Sequence, residues 1–142
     1  VDKFSCGLGV FHSIDYLPPA EIIDEEYPLY LTTGRVLYQY HSGTMTMKSK
    51  GLNDLEPYCF VEISAQDADN YGIGDGDLLK ISSRRGDIEA NARVSEKAVA
   101  GTIFIPFHYA GAAVNLLTNA ALDPVAKIPE YKVCAVNLQK VA

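Results

Sequence analysis

The stretch from residue 77 to residue 94 reads DLLKISSRRGDIEANARV, and it decides the fold class. Its first part, Asp77–Ser83, has apolar positions typical of a strand, and Arg84-Arg85-Gly86 has the composition of a tight turn. In Asp87–Val94 the apolar side chains fall on every second residue, which places them on one face of a strand. The stretch therefore predicts a β-hairpin.

Short strands are also predicted on both sides of this hairpin. Their composition is rich in Tyr, Leu, Thr and Val or alternates in polarity, and they are Tyr27–Thr33, Val36–Tyr40, Cys59–Ser64, Thr102–Pro106 and Tyr131–Val141. Ser64-Ala-Gln-Asp67 is typical of a capping box that begins a short helix through Tyr71, with Gly72 as its C-cap. A second short helix is predicted over Ala110–Thr118. Only a closed or nearly closed barrel covers so many short strands economically, because closure removes exposed edges.

Residues 1–26 differ from the rest of the chain. They combine glycines and prolines with an acidic run from Glu21 to Glu26, and no period of 2 or 3.6 persists. We expect an extended N-terminal arm or interdomain linker here, followed by one barrel domain over residues 27–142.

Composition excludes several classes of function. The formal net charge of −6 argues against a nucleic-acid surface, which needs basic side chains to replace phosphate counterions. No apolar run reaches the roughly 18–20 residues that span a bilayer, so we expect no membrane insertion. The three cysteines, at 6, 59 and 134, form no C-x-x-C pair, which argues against a zinc or iron–sulfur site in this chain. Free, mostly buried thiols favour a reducing, cytoplasmic location.

Familiar catalytic motifs do not emerge either. Gly72, Gly74 and Gly76 lack the spacing of a nucleotide loop and are better explained as a turn. The three histidines, at 12, 41 and 108, are too far apart for ordinary zinc spacing. The serines at 42, 49 and 64 have no nucleophile-elbow context, although a triad assembled in space stays open.

Two segments could line a polar ligand site. In Thr32-Thr33-Gly34-Arg35, the glycine allows close backbone approach and the arginine offers a planar fork for phosphate or a pterin carbonyl. The competing interpretation is a plain strand end with a solvent-facing Arg35. Residues 38–46 combine aromatic, amide and hydroxyl groups with one glycine, which suits a polar heterocycle.

Several stretches together resemble one known family. They are Thr33-Gly34-Arg35 with the run Tyr40–Thr46, the spacing Asp69-x-x-Gly72-Ile73-x-x-Gly76-Asp77 with Ser83–Gly86, and, near the C-terminus, Asn115–Thr118, Leu122–Pro124 and Lys127–Val136. This pattern resembles the C-terminal cofactor domain of formate dehydrogenase and periplasmic nitrate reductase catalytic subunits, most of all the formate dehydrogenase branch. The resemblance covers about Tyr27 to Val141.

That resemblance implies a fold, a cofactor and partners. The fold would be a mainly β, six-stranded double-psi β-barrel of the aspartate decarboxylase type with short helices. The domain would bind molybdopterin guanine dinucleotide, carrying molybdenum or tungsten, together with domains absent from this chain. Those domains, including an iron–sulfur domain, would supply the protein ligand of the metal. The chain would thus be part of an oxidoreductase and not catalytic alone.

The resemblance also assigns cofactor-binding residues position by position. Gln39 stands where many relatives have a histidine that contacts the pterin, and its amide can still pair with pterin donors and acceptors. No catalytic or metal-ligating residue is assigned. The implied cofactor contacts are Thr33, Gly34, Arg35, Gln39, His41, Ser42, Thr44, His108, Asn115, Tyr131 and Lys132.

Other functions on the same barrel stay open at this stage. One is a stand-alone cofactor-binding subunit, as in a formylmethanofuran dehydrogenase-like complex. Another is a protein-interaction module of the chaperone-ATPase N-domain type, which the match at Lys127–Val136 disfavours. A self-processing decarboxylase needs a Gly-Ser cleavage site, and the chain has no Gly-Ser dipeptide.

Overall fold

The computed structural model describes residues 4–141, so residues 1–3 and 142, the outer ends of the two predicted segments, lie outside the described residues. Within the described chain, short α-helices cover Lys50–Leu55 (α1) and Ala65–Tyr71 (α2). Six strands form one closed barrel. They are Leu29–Gly34 (β1), Phe60–Ile63 (β2), Leu78–Ser83 (β3), Gly86–Val94 (β4), Thr102–Pro106 (β5) and Cys134–Lys140 (β6).

The strands neighbour one another in the order β1-β5-β2-β4-β3-β6, and β6 closes the barrel by pairing with β1. Strand β1 runs parallel to β5, with Leu31 opposite Ile103, and β2 runs parallel to β4. The remaining neighbours are antiparallel. This closed barrel with two parallel pairs confirms the predicted double-psi fold.

The barrel core follows the side-chain alternation of the strands. In β4, Ile88, Ala90 and Ala92 are buried while the residues between them face solvent, as the sequence predicts. The centre of the core consists of aliphatic side chains with no exposed surface: Leu31, Val61, Ile63, Leu79, Ile81, Ile103 and Ile105. Such burial is the main stabilising contribution to a fold of this size.

Helix α2 begins and ends as its sequence predicts. The Ser64 hydroxyl accepts a hydrogen bond from the Asp67 backbone N–H at 3.0 Å and donates one to Asp67 Oδ2 at 2.8 Å. Gly72 ends the helix in the left-handed conformation at φ 64°, which glycine adopts without a Cβ penalty. Asp67 Oδ2 also accepts from the Gly101 N–H at 2.8 Å, so this cap ties α2 to the loop before β5.

The prediction of a strand over Val36–Tyr40 is wrong. This segment forms turns and bends, and Leu37 is 88% exposed. Both edges of β1 are already paired, with β5 and β6, so the closed barrel leaves no free edge for another strand there. The segment Val36–Tyr40 therefore has no neighbouring strand edge to pair with, despite its β-forming composition.

The predicted helix over Ala110–Thr118 is also wrong. Two 3₁₀ turns, Ala110–Ala112 and Val114–Leu116, replace it, and Ala113 between them is extended with ψ 90°. The core explains the break, because Ala112 and Val114 are both buried, at 6% and 1% exposure. Residues two apart point in different directions on an α-helix and cannot share one buried face.

The three cysteines are free, as expected. Cys134 is buried, Cys59 is partly buried and Cys6 is exposed. Burial raises the pKa of both Cys59 and Cys134 to about 11, which keeps these thiols protonated at neutral pH. Across residues 4–141, no helix has the length and apolar character needed to cross a membrane.

Candidate cofactor site

A cavity of about 260 Å³ opens where β1 and β5 end and β6 begins. These three ends meet because β1 and β5 are parallel and β6 is antiparallel to β1. We call this cavity the cleft. Its lining residues are Thr33, His41, Ser42, Phe107, Asn115, Tyr131 and Lys132. All of them except Phe107 are residues that the sequence predicts as cofactor contacts.

Reciprocal hydrogen bonds fix the floor of the cleft. The Thr33 hydroxyl donates to the Tyr131 carbonyl at 2.8 Å, and Lys132 Nζ donates to the Thr33 carbonyl. The end of β1 is thereby tied to the residues that lead into β6. Lys132 is held as a cation at the cleft wall, and its ammonium keeps two further N–H donors.

The loop that carries His41 and Ser42 turns tightly. His41 has φ 55° and Gly43 has φ 75°, and the Gly43 N–H donates to the Tyr40 carbonyl at 2.9 Å. The His41 ring meets Phe107 edge to face, with centroids 5.5 Å apart. This turn brings polar side chains to the same wall as an apolar ring, which suits a flat heterocycle with polar edges.

Gln39 lies inside this loop rather than on the cleft. Its side chain is buried, its Nε2 donates to Asn53 Oδ1 at 3.0 Å, and its Oε1 accepts from the Thr46 hydroxyl at 2.6 Å. Asn53 in turn donates to the Met47 carbonyl at 2.5 Å. In this structure Gln39 therefore organises the loop, and its predicted contact with the cofactor ring stays a prediction.

Asn115 reaches the cleft from the 3₁₀ turn Val114–Leu116. Its carbonyl accepts from the Thr118 hydroxyl at 3.1 Å, and its own side chain is exposed. Val114 and Leu117 on either side are buried, at 1% and 0% exposure. The buried neighbours anchor the turn and leave the Asn115 amide facing the cleft.

Other predicted contacts lie outside the cleft lining. Gly34 is buried under Phe104, since a Cβ at Gly34 would lie 2.5 Å from Phe104 Cε2. Arg35, the next residue in the chain, is exposed. Thr44 is exposed and its hydroxyl hydrogen-bonds to that of Ser42 at 2.8 Å. The close approach at Gly34 explains why a residue without a side chain is needed at this strand end.

His108 is buried beside the cleft-lining Phe107. Its ring contacts the tilted ring of Tyr109 with centroids 3.8 Å apart, and its Nε2 has no hydrogen-bond partner among the described residues. Burial lowers the pKa of His108 below its ordinary value, although the charge of Glu56 acts in the opposite direction. We conclude that His108 is neutral near pH 7.

The free energy of unfolding is therefore expected to fall as the pH drops below about 6.5, the ordinary histidine pKa. The unfolded chain takes up a proton on His108 there, whereas the folded chain does so only at lower pH. Stability thus rises with pH between the lowered pKa and about 6.5. Urea denaturation from about pH 5.5 to about pH 8 measures this slope.

His108→Gln should flatten the pH slope, because it removes the buried titrating group. His41→Gln is the matched control, since it makes the same substitution at an exposed position. Equal slopes for the unmodified protein and His108→Gln would contradict the role of His108.

Comparison with known proteins decides the family. A model described as "Molydopterin dinucleotide binding domain" matches residues 29–135, about three quarters of the chain. The chain belongs to this family. The matched region includes the whole barrel up to the start of β6 and every residue of the cleft.

Relatives of this molydopterin dinucleotide-binding domain are much longer proteins. The F420-dependent formate dehydrogenase 1 subunit alpha of Methanococcus maripaludis is 48% identical over 135 residues, which are 95% of this chain and 20% of that protein. The periplasmic nitrate reductase of Desulfovibrio desulfuricans is 45% identical over 121 residues, which are 85% of this chain and 16% of that protein. The chain thus spans about a fifth of the length of such relatives.

A solved structure supports the fold independently. Acetylene hydratase from Pelobacter acetylenicus superposes with a TM-score of 0.70 over 82% of this chain and 19% of its own. Its sequence identity is only 19%, so this likeness concerns the fold alone. The barrel architecture is therefore shared at low sequence identity.

The cleft fits part of a dinucleotide cofactor. Its volume of about 260 Å³ is below the roughly 300–1,000 Å³ of sites that enclose a drug-sized ligand. It offers one fixed cation, hydroxyl and amide groups, and an aromatic wall, which match the phosphates and the polar heterocycles of such a molecule. Among residues 4–141, no group of three or more His, Cys, Asp and Glu could hold a metal ion.

Phe107 is the cleft residue that the sequence reasoning missed. It directly follows β5, and the only local signal was its position before His108 at a strand end. Asn53 was missed as well, and Thr46 was predicted only as part of the polar segment 38–46. No sequence motif indicates that the side chains of Asn53 and Thr46 hold Gln39.

Proposed function

We propose that this domain binds part of molybdopterin guanine dinucleotide within a formate dehydrogenase-like alpha subunit, as its C-terminal domain. The observation that carries the proposal is the convergence of Thr33, His41, Ser42, Asn115, Tyr131 and Lys132 on one cleft. They come from segments up to 99 residues apart in sequence, as the Lys132–Thr33 hydrogen bond illustrates.

When bound, the cofactor would carry molybdenum or tungsten and supply the redox chemistry. The residues of this chain bind and orient it. Lys132 offers a positive charge for a phosphate or carbonyl oxygen, and Ser42 and Asn115 offer donors and acceptors for polar ring edges. The Thr33 hydroxyl already donates its hydrogen bond to the Tyr131 carbonyl, so Thr33 positions the neighbouring residues.

The remaining surface of the cofactor would be covered by other domains of the parent subunit, including an iron–sulfur domain. The small cleft favours this division, because a whole dinucleotide exceeds its volume. Residues 1–26 would serve as the connection to those domains, with residues 27–142 as the barrel domain. The exposed apolar residues of the arm, such as Phe11 at 101% and Ile14 at 88% exposure, suit contact with another domain.

Formate is the favoured substrate of the parent enzyme. Alpha subunits named as F420-dependent formate dehydrogenases match this chain at 44–48% identity over at least 95% of its length. These relatives also favour a domain of a large subunit over a stand-alone subunit or an interaction module. We place the enzyme in the cytoplasm, an assignment that rests on the free thiols.

Nuclear magnetic resonance titration tests the binding proposal even where affinity is low. Isotopically labelled protein is titrated anaerobically with molybdopterin guanine dinucleotide, and backbone amide shifts are followed. We expect saturable shifts at Thr33, His41, Ser42, Asn115 and Lys132. The surface around Tyr58, part of a separate cavity that shares no residue with the cleft, serves as the internal control. A folded protein without shifts, or with shifts confined to that control surface, would disprove cofactor binding at the cleft.

A further inference from the structure

We propose that Glu21, Arg85 and Glu130 are positioning residues. They order two loops, residues 114–119 and 130–133, which we call the two cofactor loops, before the cofactor binds. We call these three residues the brace. This inference rests on the proposed function, because it assigns the brace a role in cofactor affinity. None of the three lines the cleft, and they act through Asn115 and Lys132.

The first part of the brace joins the arm to the β3–β4 turn. Arg85 Nη2 donates to Glu21 Oε2 at 2.8 Å and Arg85 Nη1 donates to Glu21 Oε1 at 3.2 Å, a two-pronged geometry. Arg84 pairs with the same carboxylate and with Asp24. The Glu21 side chain is only 10% exposed, so this contact is more sheltered than an ordinary surface ion pair.

The protonation state of Glu21 fits this arrangement. Partial burial acts to raise the pKa of its carboxyl, but hydrogen bonds from Arg85 and Arg84 outweigh that effect and lower it. Glu21 is therefore fully ionised near neutral pH, and the contact with Arg85 is at full strength there.

The second part of the brace reaches the loop of Asn115. Arg85 Nε donates to the Leu117 carbonyl at 2.8 Å, two residues after Asn115. The guanidinium thus uses Nη1 and Nη2 for the arm and its Nε–H for the backbone of a cofactor loop. Because Leu117 is also fully buried, the end of the 3₁₀ turn is fixed from both sides.

The third part of the brace reaches the loop of Tyr131 and Lys132. Glu130 Oε2 accepts from the arm at the Ala20 N–H, 3.2 Å away, and from Asn119 Nδ2, 3.0 Å away. The same Asn119 amide donates to the Val133 carbonyl at 2.9 Å. One set of hydrogen bonds therefore links the arm to the segments on both sides of Tyr131 and Lys132.

The arrangement explains why short irregular segments can form a site. Neither cofactor loop belongs to a strand or a long helix, so the hydrogen bonds of the brace add to the few contacts that limit the conformations of each loop. Ordering them in advance reduces the entropy that binding must overcome. The brace should consequently affect cofactor affinity and local loop mobility more than the integrity of the barrel.

The test compares Glu21→Ala with a control on the same hairpin. Asp87→Ala breaks the exposed pair of Asp87 with Lys80, which is 3.1 Å long and does not touch the arm. Titration with molybdopterin guanine dinucleotide should show about tenfold weaker binding for Glu21→Ala and little change for Asp87→Ala. Amide hydrogen exchange without cofactor should quicken over 114–119 and 130–133 in Glu21→Ala alone.

A double-mutant cycle with Asn115→Ala separates positioning from general stability. If Glu21 acts through Asn115, the losses of affinity in the double variant should be clearly less than multiplicative. Multiplicative losses, or unchanged binding and exchange in folded Glu21→Ala, would overturn the brace. Should Glu21→Ala fail to fold, Glu21→Gln, which keeps an acceptor and loses the charge, decides by the same measurements.

The two proposals fail in different ways. If the unmodified protein does not bind the cofactor, the proposed function is wrong, and the exchange measurement still decides whether Glu21 orders the two loops. If the unmodified protein binds and Glu21→Ala binds equally well, only the brace is wrong.

Discussion

Replacing Lys132 by methionine is expected to weaken cofactor binding by about tenfold to a hundredfold. Methionine keeps an unbranched stem of similar reach but has no charge and no N–H donor. Lys132 Nζ is held in place by the Thr33 carbonyl, so its charge is fixed at the cleft wall rather than free in solvent. A fixed cation contributes more to binding an anionic phosphate than a mobile one does.

The matched control is Lys127→Met. Lys127 lies in the same loop, is exposed, and donates to the Pro124 carbonyl at 3.0 Å without lining the cleft. Lys127→Met removes the same unit of charge as Lys132→Met, so any effect of net charge alone appears in both variants. We expect little change for Lys127→Met in the titration. Equal losses in the two variants would show that the charge of Lys132 acts only at long range.

Salt provides a further check on this prediction. Interactions between exposed charges are screened within about 10 Å at about 0.1 M salt, whereas a contact inside the cleft is screened less. The difference between the unmodified protein and Lys132→Met should therefore persist as salt is raised. If the difference in affinity between the unmodified protein and Lys132→Met disappears at high salt, Lys132 contributes only long-range electrostatic attraction.

The strands of the barrel could be predicted because their signal is local. Thr102–Pro106 is found with the bounds predicted, and the hairpin around Arg84-Arg85-Gly86 lies within one residue of its prediction. In each of these segments, buried residues largely alternate with more exposed ones along the strand. Val36–Tyr40 has the same local signal and fails, because strand formation also requires a free neighbouring edge, which is a property of the whole barrel.

The candidate site could be predicted only through the resemblance to a known family. Composition alone left Arg35 as a plain strand end, and Asn115 and Tyr131 carried no distinct signal. What could not be foreseen was which members of the predicted set would share the cleft. That depends on long-range contacts, such as the pairing of Thr33 with Tyr131 and the inward turn of Gln39 towards Asn53.

The contacts of the brace could not be predicted from the sequence for the same reason. The acidic run from Glu21 to Glu26 was noticed only as part of an irregular arm, and Arg85 only as part of a turn. Their meeting requires the arm to cross the side of the barrel where the β3–β4 turn lies, beside Asn119 and Glu130. Sixty-four residues separate the two partners, and no local period encodes such a contact.

The register of β3 leads to the largest expected effect on stability, at Leu79. Leu79→Ala should lower the free energy of unfolding by about 2–5 kcal/mol, because its fully buried side chain leaves a cavity in the barrel core. Leu78 provides a matched control at the adjacent position of the same strand, with 39% of its surface exposed. Leu78→Ala should cost less than about 1 kcal/mol.

The contrast tests the barrel itself, since a shift of β3 by one residue would exchange the two faces. In the structure Leu79 is opposite Ala90 of β4 and Lys140 of β6, and that register alone places Leu79 inside and Leu78 outside. Urea denaturation of both variants at one pH measures the difference. Similar losses for the two leucines, or a larger loss for Leu78→Ala, would contradict this register and with it the position of the Arg85 turn that the brace requires.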